Sequence, residues 1–148
     1  MHTPQKKSER GNAMLEFAIG WALLWALFVG VYQFGYSFYV YNVVMTSVAN
    51  AAELGSKMTY DTSNASQFST ALKNMVVYGD TTAGTTPLVP GLSTSNVNVS
   101  INPEDSMPTD ITITINNFTI DAFFTKFTFN GKPRATTIYM GHIACSTC

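Results

Sequence analysis

The residues best suited to chemistry are two cysteines, Cys145 and Cys148, which form a C-x-x-C motif. A redox pair usually lies at a helix N-terminus that stabilises the thiolate. Cys148 is the last residue of the sequence, so we expect no helix after it. We therefore predict a small structural disulfide at the C-terminus. The alternatives are free thiols or an intermolecular bridge, a metal site completed by His142, and redox catalysis.

Other residue types give little support to an enzyme. The sequence has only two histidines, and His2 lies in a basic N-terminal leader, so a Ser/His/Asp triad or a histidine-rich metal site lacks the necessary residues. A phosphate-binding glycine loop and an HExxH motif are also absent from the sequence. We predict no catalytic residues, no bound metal and no cofactor.

The charged residues indicate a solvated surface. Five acids follow Lys73 without an intervening basic residue: Asp80, Glu104, Asp105, Asp110 and Asp121. Loop carboxylates can bind calcium, but this spacing matches no known calcium loop, so we expect an acidic face in water. The net charge of −1 leaves no basic surface for nucleic acid.

One carboxylate, Glu16, stands directly before the longest uncharged stretch of the chain, the 36 residues 17–52. A charge in the middle of a bilayer costs about 2.5–3.5 kcal/mol or more. The presence of a carboxylate at this position therefore requires an explanation. Either it is a charge used in assembly, or it lies at the membrane interface and extends its carboxylate to the lipid headgroups.

Residues 17–41 are long and apolar enough to cross a bilayer, which requires about 20 such residues. The alternatives are a buried core helix and a cleaved signal peptide, but the apolar stretch continues into aromatics without a small-residue cleavage site. Lys6, Lys7 and Arg10 outweigh Glu9 before it, which predicts a single-pass inner-membrane protein with a cytoplasmic N-terminus. The distal part then lies in the oxidising periplasm or outside the cell.

Hydrophobic periodicity predicts the elements around this segment. The helix should continue through residues 42–57 as an amphipathic helix, with a polar stripe (Asn42, Thr46, Asn50, Glu53, Lys57) and an apolar face (Val44, Val48, Ala52, with Met45 and Ala49). A short helix is predicted at about 64–78, capped by Ser63 or Asn64 and ended by Gly79.

Alternating residues predict three or four antiparallel strands with one apolar and one Thr/Asn face. Val97, Val99 and Ile101 alternate with polar residues, as do Ile111, Ile113 and Ile115. Asn130-Gly131 is a strong two-residue hairpin signal within residues 125–141. The fold class is therefore α+β: a long N-terminal helix, transmembrane in its first half and amphipathic in its second, packed on a small antiparallel sheet.

The N-terminal stretch resembles the prepilins of type IV-like filament systems, in which a basic leader ends in glycine and the fifth mature residue is glutamate. Further along, the sequences GNAMLEFA, GVYQFGYSFYVYN and NAAELGSK look like the TadE/TadF-like pseudopilins, or minor pilins, of tight-adherence (Tad) pili. LKNMVVYG (72–79) and NGKPRATTIYMG (130–141) are also similar to the distal domain of that family.

The resemblance implies a pilin-like fold and a structural role in pilus assembly and adhesion. A prepilin peptidase would cut after Gly11, which makes Asn12 the first and Glu16 the fifth mature residue. In related filaments this acid is thought to pair with the amino terminus of a neighbouring subunit. The implied organisation is a leader (1–11), an N-terminal helix (12–57) and an α+β domain (58–148), and the implied partners are other pilin subunits, the peptidase and the assembly platform of the inner membrane. The alternative is a membrane-retained assembly factor or tip adhesin that binds a partner through its distal domain.

Overall fold

The computed structural model of the chain describes residues 9–104, 107–122 and 125–141. Its helices are α1 (Glu9–Lys57) and α2 (Ala65–Tyr78), and its strands are β1 (Val97–Glu104), β2 (Met107–Ile115), β3 (Phe118–Ala122), β4 (Thr125–Phe129) and β5 (Arg134–Ile138). The chain divides into two compact units, unit 1 (Met1–Tyr36) and unit 2 (Ser37–Cys148). A long helix and antiparallel strands confirm the predicted α+β class.

The part of α1 that belongs to unit 2 is amphipathic, as predicted. Val40, Val44 and Val48 are at most 2% exposed, and they recur every four residues along one face of the helix. Asn42, Thr46, Asn50, Glu53 and Lys57 are exposed on the remaining surface. The prediction is wrong for Met45 and Ala49, which are exposed, because Ser47 and Ala51 are the residues buried beside the apolar stripe.

A glycine lets α1 approach the rest of unit 2 closely. A Cβ atom on Gly55 would lie 3.1 Å from a methyl group of Leu72 in α2 and 3.3 Å from the Cδ1 atom of Ile111 in β2. Glycine inside a helix costs about 1 kcal/mol relative to alanine. At this position the cost is offset, because the absence of a side chain lets α1 pack closely against α2 and β2.

The second helix ends where predicted and begins differently. Gly79 adopts a left-handed conformation (φ 76°), and its N–H donates to the carbonyl oxygen of Met75. Asn64 makes no capping bond. The preceding 3-10 turn (Thr62–Asn64) is capped by Asp61, whose Oδ1 accepts a hydrogen bond from the Ser63 N–H at 2.8 Å. The pKa of Asp61 lies below its usual value, mainly because the Asn64 side chain also donates to its carboxylate.

The larger sheet has the strand order β1-β2-β5, and all its pairs are antiparallel. Its apolar alternation is as predicted, because Ile111, Ile113 and Ile115 of the central strand are fully buried. The opposite face carries Asn98, Ser100 and Asn102, all exposed. On that face the hydroxyl groups of Thr112 and Thr136 lie 2.9 Å apart across β2 and β5.

The predicted hairpin at Asn130-Gly131 is wrong. Strands β4 and β5 flank this dipeptide without pairing with each other, since β4 pairs with β3 and β5 pairs with β2. Gly131 does have a positive φ (75°), but its N–H donates across the sheet to the carbonyl oxygen of Ile115 and to Asn116 Oδ1. Asn130 Oδ1 accepts a hydrogen bond from the Asn117 N–H.

These hydrogen bonds connect the β2–β5 pair to the β3–β4 pair, and we call the four strands together the ribbon. The pairs of β2 with β5 and of β3 with β4 lie on either side of a junction formed by Asn116, Asn117, Asn130 and Gly131. The described residues therefore contain five strands, in a three-stranded sheet and a two-stranded hairpin, rather than the three or four predicted.

The end of α1 is tied to the segment after β5 by what we call the C-terminal clasp, formed by Ser56, Met58, Tyr60, Tyr139 and Met140. The Tyr139 hydroxyl accepts a hydrogen bond from the Tyr60 N–H at 2.9 Å and donates one to the Met58 carbonyl oxygen at 2.8 Å. The Met140 N–H donates to the Ser56 carbonyl oxygen at 2.9 Å. One side chain thus satisfies two backbone groups just past the helix end.

Candidate membrane and assembly segment

The apolar half of α1 has no cover within unit 1. Residues 11–28 are all exposed, including Phe17, Trp21 and Trp25. Within the described residues, one helix, Gly11–Lys57, is long and apolar enough to cross a membrane, and its most apolar window has a mean hydropathy of 1.9 with none of it buried. This differs from the core helix of a soluble protein, which is mostly buried.

Aromatic residues occur at both ends of this segment. Phe17 and Trp21 stack with ring centroids 6.2 Å apart, and Tyr32 and Tyr36 stack at 6.5 Å. Tryptophan and tyrosine are enriched where a membrane-spanning helix meets the headgroup region on either side. Their placement fits a single-pass membrane anchor.

Glu16 lies on the exposed surface of α1, near the start of the helix. The two ion pairs of the described residues are Lys57–Glu53 and Lys126–Asp121, so neither involves Glu16. The Glu16 carboxylate is thus exposed to the surroundings of unit 1.

The residues at the predicted cleavage position are also accessible. Gly11 and Asn12 are exposed in the first turn of α1, and a Cβ atom on Gly11 would have no other atom within 4 Å. The structure therefore places Gly11 and Asn12 in one turn of α1 and Glu16 about one turn further along, all of them exposed.

The other sequence-predicted site residues, Cys145, Cys148 and His142, lie outside the described residues. Among residues 9–104, 107–122 and 125–141, no group of three His, Cys, Asp or Glu side chains is placed to hold a metal ion.

Two of the acids predicted to form a solvated face, Asp80 and Asp121, have protein partners of their own. The Asp121 carboxylate lies 3.0 Å from the Lys126 ammonium group. The pKa of Asp80 lies below its usual value, because its carboxylate accepts hydrogen bonds from the Thr82 backbone N–H and from the Thr82 hydroxyl. These carboxylates are spread over separate parts of unit 2.

The family comparison concerns the same helix. Residues 11–53 match the family model described as TadE-like protein. We call these residues, 11–53, the TadE-like segment because of this similarity. The match begins at Gly11, contains Asn12 and Glu16, and ends at Glu53 in the last turns of α1. The predicted resemblance to the TadE-like family is confirmed over these residues. No curated protein and no solved structure matches the chain.

The TadE-like segment covers both parts of α1. Its first part is the uncovered apolar helix, and its second part carries the buried valine stripe of unit 2. A Tad pilus-associated pseudopilin, a structural component with a membrane anchor, is the role that the family suggests. The distal strands lie beyond the matched residues.

Proposed function

We propose that the chain is a pseudopilin subunit of a Tad-type pilus, stored in the membrane by its TadE-like segment and then incorporated into the filament. The observation that carries this proposal is the uncovered apolar start of α1, which presents Glu16 a few residues after Gly11. The apolar surface needs lipid before assembly, and within a filament it needs the helices of other subunits. The role is structural and involves no catalysis, cofactor or nucleic acid.

In this proposal a prepilin peptidase removes residues 1–11 on the cytoplasmic side of the inner membrane. Cleavage gives Asn12 an α-amino group that is largely protonated at neutral pH. Glu16 lies four residues away, about one helical turn. Within a filament, the Glu16 carboxylate of one subunit pairs with the Asn12 amine of its neighbour, which offsets the cost of taking both charges out of water.

The first test is the mature N-terminus. We expect mass spectrometry of membrane and pilus material to find a chain that starts at Asn12. The Gly11–Asn12 bond lies in the first turn of α1, where helices fray and the peptidase can reach an unwound backbone. Gly11→Val should retain the leader, whereas Gly20→Val, at a helix position equally free of neighbouring atoms, should be cleaved normally. An intact Met1 end in cells with an active peptidase would contradict both the processing and the pilin role.

We also propose that Cys145 and Cys148 form a disulfide once the distal part reaches an oxidising compartment. Such a small ring removes little chain entropy, so Cys148→Ser should lower the free energy of unfolding only modestly. The measurement is thiol alkylation followed by mass mapping under non-reducing conditions. Alkylation of both cysteines in freshly isolated wild-type protein would show that they are free thiols.

A second role is favoured by the polar face of the larger sheet. Asn98, Ser100, Asn102 and Thr136 are exposed there, and such amides and hydroxyls suit a polar partner. The chain would then be a membrane-retained assembly factor or a tip adhesin. Quantifying the mature protein in sheared filaments and in membranes separates the two roles, because a filament subunit is abundant in the sheared fraction.

A further inference from the structure

The β3–β4 hairpin has one apolar and one polar face. Directly opposite residues share a face in an antiparallel pair. The pairs Phe118 with Phe129 and Ile120 with Phe127 therefore form what we call the apolar face of the hairpin. The pairs Thr119 with Thr128 and Asp121 with Lys126 form its polar face. Residues 118–129 contain five of the ten phenylalanines in the chain, although they are a small part of its length.

The described side chains of the apolar face differ in their exposure to solvent. Phe118 is 2% exposed and Ile120 is 4% exposed, whereas Phe127 is 36% exposed. The ring of Phe129, nearest the junction, packs on Phe118 and on Tyr41 of α1. Phe127 is thus the most exposed of the described side chains on this face.

Contacts within unit 2 give the direction in which the ribbon runs. Ile111 of β2 lies beside Gly55 of α1, and Phe129 of β4 lies with its ring centroid 5.6 Å from that of Tyr41. From β2 to the hairpin, the ribbon therefore moves along α1 from residue 55 towards residue 41. Phe127 lies two residues beyond Phe129, about 7 Å further along the strand.

Tyr41 is close in sequence to the membrane anchor. Residues 17–36 already supply about the 20 residues that a bilayer core requires. Tyr41 follows five residues later, so the chain between them spans at most about 18 Å in any conformation. Phe38 and Tyr39, within this interval, are 68% and 65% exposed. Tyr41, on which the hairpin base packs, is therefore separated from this stretch by no more than that length of chain.

We propose that the apolar face of the β3–β4 hairpin, at Phe127, rests on the surface of the bilayer that holds the N-terminal part of α1. Lipid is the occupant that continues directly from the membrane-spanning part of α1. The 74% exposed side chain of Lys126 can reach headgroup phosphates, and Asp121 balances its charge on the polar face. This contact holds the distal domain against the membrane before assembly. It rests on the membrane-anchor part of the proposed function and goes beyond it.

The test uses the full chain, one copy per lipid nanodisc, with lipids brominated on their acyl chains to quench tryptophan fluorescence. In a Trp21→Phe/Trp25→Phe background, Phe127→Trp is the only tryptophan. We expect brominated lipid to remove about half or more of its emission, because an interfacial ring lies about 5–10 Å into the headgroup and acyl boundary. Ile138→Trp, at a 71% exposed position near the other end of the ribbon, should keep its emission.

The polar face provides a matched control on the same hairpin. Thr128→Trp, next to Phe127 but on the opposite face, should be quenched less than Phe127→Trp. Equal quenching at both positions overturns the proposal, and so does quenching of Phe127→Trp that is no stronger than that of Ile138→Trp. A blue-shifted but unquenched Phe127→Trp also overturns it, since the ring would then be buried against protein.

The native chain separates failure of this contact from failure of the proposed function. Trp21 and Trp25 lie in the apolar part of α1, so brominated lipid should quench them strongly if the helix crosses the membrane. If they are quenched and Phe127→Trp is not, only the hairpin contact is wrong. If neither is quenched, the membrane anchor itself is wrong.

Discussion

Replacing Glu16 with glutamine should sharply reduce incorporation into filaments while leaving cleavage and membrane insertion intact. Glutamine is nearly the same size as glutamate, so a packing explanation is weak. The change removes the charge and leaves the Asn12 amine of a neighbouring subunit without its partner, at a cost of about 3–5 kcal/mol. The measurement compares wild type and Glu16→Gln in sheared filaments, with the membrane pool quantified alongside.

Glu53→Gln is the matched control for this change. Glu53 is also an exposed acid of α1, but it lies in unit 2 and forms an ion pair with Lys57 on the helix surface. Exposed pairs of this kind contribute little to stability, so Glu53→Gln should be incorporated like wild type. If Glu16→Gln reaches filaments in wild-type amounts, the acid is an interfacial residue whose carboxylate only extends to the headgroups.

Replacing Gly141 with alanine should destabilise unit 2 by about 1–3 kcal/mol, because it breaks the C-terminal clasp. An added Cβ atom would lie 2.6 Å from the Tyr139 hydroxyl oxygen and closer still to the Met58 carbonyl oxygen, which is backbone and cannot move aside cheaply. When the clasp opens, the Tyr60 N–H and the Met58 carbonyl lose their shared partner. Urea unfolding gives the free energy, and hydrogen exchange at Tyr60 and Met140 reports the clasp directly.

Two further variants make this test specific. Met140→Ala changes a 71% exposed neighbouring side chain, so its free energy of unfolding should stay within about 0.5 kcal/mol of wild type. Tyr139→Phe removes only the hydroxyl group and should destabilise through the same clasp. Since both changes act on one hydrogen-bond network, adding Gly141→Ala to Tyr139→Phe should cost less than the sum of the two. If the free-energy changes of the two substitutions add fully, Gly141→Ala does not act through the clasp.

Local patterns in the sequence predicted most of the buried positions on elements that bury one face. The valine stripe of α1 and the isoleucines of β2 follow the helix and strand periods, and Gly79 ends α2 as its left-handed conformation requires. These features depend on residues a few positions apart, which is the range that periodicity and capping rules cover.

Features that depend on distant pairing could not be predicted in the same way. Asn130-Gly131 has the sequence of a tight hairpin, but pairing β3 with β4 and β2 with β5 continues one ribbon through it. The positive φ of Gly131 then serves the junction, where its N–H reaches Ile115 and Asn116. The clasp joins residues with no common period, so neither Tyr60 nor Tyr139 gave a local signal.

The candidate assembly site could be located from the sequence but not completed from one chain. Gly11 and Glu16 were predicted from their spacing after a basic leader, and both are exposed at the start of α1. The described residues of unit 1 supply no ionic partner to the Glu16 carboxylate. The proposed partner is an amine of another subunit, which a single chain cannot contain.

The C-terminal clasp also determines the order in which a newly synthesised chain can reach its native state. Tyr139 binds backbone groups of Tyr60 and Met58, which precede it by 79 and 81 residues. Almost all of unit 2 must leave the ribosome before these bonds can form, whereas α2 can form as soon as its own residues emerge. Until β2 arrives, Gly55 of α1 lacks the Ile111 side chain that packs beside it. A nascent chain interrupted before Tyr139 would therefore leave the end of α1 unsecured and prone to association with other chains.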